Sequence, residues 1–219
     1  MTEPERRTRR GRPPLGDRRQ EIIQAAQEIL ADRGYAHTSM KQIADRAGIA
    51  PGLLTYYFPA KQALLLEVVA ELEKEFTYNW RAELSVYNGP LERIGEAFDK
   101  SIAKWSAQPE LFRIFYDLST LASVDEEIKQ RLQVMLRRIR AVADEEMRRI
   151  AADLPTPPPP NADLASAITA GFHGALYEAL TLGEDPRPAL TALRFMALSS
   201  AAMSYVAAGQ RPPIDLDEL

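Results

Sequence analysis

Residues 38–61, TSMKQIADRAGIAPGLLTYYFPAK, constrain this chain more than any other stretch. Met40, Ile43, Ala44 and Ala47 recur at helical spacing and predict a short helix with one apolar face. Ser39 stands where it can cap that helix, and Gln42, three residues on, completes the pattern of a capping box. Gly48 supplies the turn that follows, because glycine takes a positive φ without steric cost. Pro51 suits the first turn of a second helix, where its missing N–H has no partner to lose. Phe58-Pro59 stops that helix, since proline pushes the residue before it out of the helical region. Two short helices joined by a glycine turn predict a helix-turn-helix.

The flanking sequence supports an all-α chain. A helix from about Asp17 to Gly34 carries the stripe Ile22, Ala26, Ile29 and Leu30, which would pack behind the helix-turn-helix and complete a three-helix domain over 17–60. The next helix, about 60–78, repeats Leu64, Leu65, Val68, Leu72 and Phe76 at steps of three or four. A larger helical bundle over 61–208 then follows. Asn88-Gly89-Pro90 and Pro109 open two helices with aromatic stripes, and Asp125 to Glu127 favour the positive end of a long one. Residues 154–160, LPTPPPP, form a stiff spacer before two closing helices, about 162–182 and 188–208, and 209–219 are a tail. Small residues such as Ala167, Gly171, Gly174, Ala192 and Ala202 let these last helices approach closely. They fit either a four-helix dimer interface or an intramolecular bundle.

Composition narrows the function. The chain has 219 residues, 46% of them hydrophobic, enough for a sizeable core. It has no cysteine, which excludes disulfides and thiolate chemistry and fits a reducing cytoplasm. The charged N-terminus does not read as a signal peptide, and no uninterrupted apolar run approaches the roughly 18 residues of a membrane span. The expectation is a cytoplasmic protein with no membrane partner. The net charge of −4 argues against a nucleic-acid coat, yet residues 1–12 hold five arginines against two glutamates. Residues 1–16 read as a flexible basic arm. Its Arg10-Gly11-Arg12-Pro13 looks like the core of an AT-hook, whose arginines enter a narrow minor groove; a solvated tail with general phosphate attraction is the other reading.

Taken together, Gly34-Tyr35, Thr38-Ser39-Met40, Ile43-Ala44, Ala47-Gly48-Ile49, Gly52, Leu54, Tyr56-Tyr57-Phe58 and Lys61 resemble the DNA-binding domain of the tetracycline-repressor (TetR) family of bacterial regulators. The likeness covers roughly residues 18–70. It implies a second helix lying in the major groove, with Ala50, Pro51, Gly52, Thr55, Tyr56 and Tyr57 nearest the bases. It also implies phosphate contacts at Thr38, Ser39, Lys41, Tyr57 and Lys61. Family members commonly carry a tyrosine where Thr55 stands, and Thr55 keeps the hydroxyl with less reach. Neighbouring tyrosines on a helix face different ways, so one of Tyr56 and Tyr57 is expected on DNA and the other partly buried. The resemblance further implies a homodimer formed through the last two helices. That dimer would repress from a pseudo-palindromic operator until a small-molecule inducer shifts the helix after the reading head.

Catalytic signals are thin. His37 and His173 are the only histidines, and no cluster has metal-ligand spacing, so no enzyme, cofactor or metal is expected. An effector pocket could form from the aromatic stripes: Phe98, Ile102, Trp105, Phe112, Phe115, Tyr116, Met135, Phe172, His173 and Tyr177. Ordinary core packing would use the same residues.

Overall fold

The computed structural model describes residues 15–77, 80–157 and 163–214, and every regular element among them is helical. The chain divides into two compact units between Val68 and Val69.

The first unit begins with α1 (Leu15–Arg33), a 3-10 turn (Tyr35–His37), α2 (Met40–Arg46) and α3 (Pro51–Tyr57), and ends within α4 (Lys61–Phe76). The local chemistry sets each boundary of the helix-turn-helix. The Ser39 hydroxyl oxygen accepts from Gln42 N at 3.3 Å, and Gln42 Oε1 accepts from Ser39 N at 2.8 Å. This reciprocal box starts α2. Gly48 has φ +63°, which reverses the chain while Ile49 N donates to Ala44 O at 3.0 Å. Pro51 occupies the first turn of α3, and Phe58 ends it in an extended conformation. Apolar side chains that recur on these helices are buried: Ile22, Ile23, Ala26, Ile29 and Leu30, then Ile43, Ala44, Leu54 and Phe58, then Leu64, Leu65 and Val68. α1 packs on α2 and α2 on α3. Each large side chain so buried contributes about 1.5–3 kcal/mol, which holds α3 in place.

The second unit comprises the rest of α4 with α5 (Trp80–Leu84), α6 (Pro90–Ala107), α7 (Pro109–Leu121), α8 (Glu126–Ala152), α9 (Leu164–Leu182) and α10 (Arg187–Ala207). Asp125 caps α8 by accepting from Ile128 N at 3.1 Å. Two clusters form the core. Leu91, Ile94 and Phe98 of α6 pack with Ile150 of α8 and Leu198 and Ala201 of α10. Phe112 of α7 packs with Leu176 of α9 and Leu190 of α10. At Gly171 on α9, an added Cβ would stand 2.9 Å from Leu193 Cδ2, so a larger residue there would displace the Leu193 side chain. Glu73, near the end of α4, is buried between Arg131 at 2.6 Å and Arg138 at 3.0 Å, both on α8.

One detail differs from the sequence reading. The helix expected over 60–78 stops at Phe76, and α5 intervenes before α6. Five residues are too few to show a periodic stripe. Also, α10 is long and apolar enough to cross a membrane by length and composition, with serines and threonine spaced among its apolar residues. It packs here on α6 and α9. Of the 154–160 spacer, residues 158–160 lie outside the described residues. Thr156 N donates to Ser204 Oγ at 2.7 Å, which ties the spacer's start to α10.

Candidate functional site

α3 presents one side to solvent. Ala50, Pro51, Gly52, Thr55 and Tyr56 are exposed, Tyr56 at 74%, while Leu54 and Phe58 are each 1% exposed and anchor the helix. Tyr57 is half-buried and meets Tyr56 edge-on, with ring centroids 5.4 Å apart. The Thr55 hydroxyl donates to Pro51 O at 3.1 Å and keeps its lone pairs for an incoming donor. Ser39 and Lys41, at the start of α2, are exposed.

Thr38 and Lys61 are placed differently. Thr38 is buried, and its hydroxyl donates to Gly34 O at 2.7 Å. Lys61 Nζ donates to Tyr35 O at 2.9 Å and Thr38 O at 2.5 Å, and stands 3.8 Å from the Tyr35 ring centroid. Burial pushes the Lys61 ammonium below the ordinary lysine pKa. Its charge ties the 3-10 turn to α4 and so fixes where α2 starts. Arg10 and Arg12 lie outside the described residues.

A cavity of about 160 Å³ opens in the second unit. Phe98, Trp105, Phe112, Phe172 and His173 line it, joined by Phe76, Ser101, Glu146, Met147, Thr169 and others. Its rings form two groups. Trp105 lies 4.8 Å from Phe76 and 3.7 Å from Phe112 between centroids, and Phe98 lies 5.3 Å from Phe172. Ile102, Phe115, Tyr116, Met135 and Tyr177 are not among the lining residues. Phe115 and Met135 are buried, Ile102 packs beside Phe112, and Tyr177 is 58% exposed. The Tyr116 hydroxyl donates to His173 O at 2.6 Å, and its pKa is pushed up to about 12, first by burial and then by Tyr177. Burial lowers the His173 pKa, so its imidazole is neutral at neutral pH.

Glu146 had a sequence signal that the aromatic stripes overshadowed. Ile139, Val142, Ala143, Glu146 and Met147 share one face of α8, so a carboxylate interrupts an otherwise apolar stripe. Its side chain is 12% exposed and lies 3.3 Å from Arg149 Nη1.

Capped α2, the Gly48 turn and the exposed side of α3 define a helix-turn-helix DNA-binding module. Residues 22–68 match the bacterial regulatory proteins of the tetR family. It is 29% identical over 131 residues to the HTH-type transcriptional regulator BetI of Brucella suis, covering 60% of this chain and 65% of that protein. To BetI of Agrobacterium fabrum it is 28% identical over 176 residues, covering 80% and 82%. The chain thus spans about 65% of the length of the Brucella relatives it matches. A TetR transcription regulator from Haloarcula marismortui shares the fold with a TM-score of 0.68 at 21% identity, covering 87% of this chain and 98% of that one. A putative transcriptional regulator from Saccharomonospora viridis, solved in complex with choline, shares it with a TM-score of 0.70 at 19% identity, covering 82% and 94%.

Proposed function

We propose that this protein is a cytoplasmic, sequence-specific transcriptional regulator of the TetR type, not an enzyme, which represses from a pseudo-palindromic operator. The observation that carries this reading is the α3 surface: an exposed reading side backed by Leu54 and Phe58, which keep it rigid. Tyr56, Thr55, Gly52 and Pro51 face the major groove. Ser39, Lys41 and Tyr57 contact phosphates, while Thr38 and Lys61 position the start of α2 beside them.

The regulator acts as a homodimer through α9 and α10, because one helix-turn-helix reads too few bases for useful specificity. Exposed Phe195, Met196, Met203 and Val206 on α10, with Tyr177 and Leu182 on α9, support this pairing. The cavity holds a small-molecule effector, a reading supported by the S. viridis regulator, which is similar in fold and carries choline. Phe76, at the end of α4, is one wall of the cavity, so an occupant that moves Phe76 acts on the helix that follows the reading head. A coupling of about 1–3 kcal/mol changes DNA affinity several-fold to a hundredfold.

The test is fluorescence anisotropy on DNA from upstream of the protein's own gene. Tyr57→Ala is expected to weaken specific binding by about tenfold, in keeping with the loss of one good contact. Affinity within about twofold of the unaltered protein would contradict the assignment of α3 as the reading helix.

A further inference from the structure

The polar chemistry of the cavity in the second unit has one sign. Among the described residues that line it, Glu146 alone carries a formal charge at neutral pH. Ser101 and Thr169 also line it, but their hydroxyl protons are already spent: Ser101 Oγ donates to Ala97 O at 2.7 Å, and Thr169 Oγ1 donates to Ala165 O at 2.7 Å. Each oxygen therefore offers only lone pairs to an occupant. The donors that remain are the Trp105 indole N–H and one ring N–H of a neutral His173. The other prominent walls are the rings of Phe76, Phe98, Trp105, Phe112 and Phe172, whose faces carry partial negative charge.

An anion would meet that carboxylate and those ring faces with no cationic wall to offset them. A neutral apolar molecule would fit the rings but leave Glu146, 12% exposed, with Arg149 Nη1 at 3.3 Å as its one ion pair among the described residues. A positive charge satisfies both features together. Aromatic faces attract it, and Glu146 neutralises it at short range where solvent screening is weak.

We propose that this cavity takes a small alkylammonium cation, quaternary or protonated, held by the aromatic walls with Glu146 as counter-charge. The inference rests on the reading that the cavity is the effector site, and it specifies the chemical class of the effector. A cavity of about 160 Å³ suits a small headgroup with a short carbon chain.

Isothermal titration calorimetry on the full chain tests this without DNA. The probes are choline, tetramethylammonium and 3,3-dimethylbutan-1-ol, the last being choline with a neutral carbon in place of nitrogen. Choline is expected to bind at least about tenfold tighter than the neutral alcohol. Glu146→Gln, which keeps the side chain's shape, is expected to remove most of that advantage and leave the alcohol's affinity unchanged. If that variant does not fold, the comparison of choline with the alcohol on the unaltered protein still decides the matter. Equal affinity for choline and the alcohol, or no heat from either cation at millimolar concentration, overturns the proposal. Separate anisotropy on operator DNA without ligand keeps the two readings distinct: operator binding with no cation binding discards this site and leaves the regulator standing, and the reverse discards the regulator.

Discussion

Lys61 offers a direct choice between a residue that touches DNA and one that builds the surface touching it. Its ammonium donates to the carbonyls of Tyr35 and Thr38 and sits over the Tyr35 ring. Lys61→Met keeps the aliphatic stem and removes all three interactions. A hydrogen bond from a charged donor contributes about 1.5–3 kcal/mol, and the cation–ring contact about 0.5–1 kcal/mol at a partly exposed site. Tyr35 O still accepts from Thr38 N at 3.2 Å, so the carbonyl most affected is that of Thr38. The expected loss is therefore roughly 2–4 kcal/mol, the sum of one charged bond and the ring contact. Urea unfolding followed by circular dichroism reads the stability. Anisotropy across a salt series reads the contact, since each phosphate neutralised contributes about 0.9 to the slope of log K against log salt. The structure predicts a lower urea midpoint, weaker DNA binding through a misplaced α2, and an unchanged salt slope. Unchanged stability with a slope shallower by about 0.9 would refute the positioning role and make Lys61 a phosphate contact.

Other consequences are simpler. Ser39→Ala removes the capping box and is expected to cost about 1 kcal/mol in urea unfolding. Tyr56→Ala, at an exposed site, should change stability by less than about 0.5 kcal/mol, yet weaken operator binding by about tenfold in the anisotropy assay. Phe195→Glu combined with Met203→Glu places charge in the proposed dimer face, and sedimentation should shift from dimer to monomer. His173 has a folded-state pKa below the ordinary 6.5, so its contribution to stability is present above about pH 6.5 and is lost as pH falls toward the folded value. Replacing His173 with leucine should flatten that acid limb in thermal melts recorded from pH 7 downward.

Local chemistry made the helix-turn-helix readable before any coordinates. A capping box, a glycine with positive φ and a proline at a helix start are each fixed within three or four residues, and each marks a boundary in the fold. Burial of Leu54 and Phe58 beside exposure of Tyr56 follows from the helical period alone. Thr38 and Lys61 were less readable. The partners of Lys61, the carbonyls of Tyr35 and Thr38, lie 26 and 23 residues away, so only the folded path of the 3-10 turn brings them to the start of α4. The cavity shows the same limit. Aromatic stripes on α6 and α7 could be seen, but which members face a void depends on how α8 and α9 close over them. Trp105 and Phe112 line it while Phe115 is core. Glu146 was visible as a carboxylate on an apolar face. Its meaning came only when the walls opposite proved aromatic.

The most direct test of the account is selection of genomic DNA by the purified full-length protein, followed by sequencing of the retained fragments. The account predicts enrichment of a two-fold-related sequence, with enrichment lost for Tyr56→Ala and Tyr57→Ala while their circular dichroism spectra stay unchanged. Enrichment that persists in both variants, or retention of DNA with no shared sequence, would contradict the claim that α3 reads an operator.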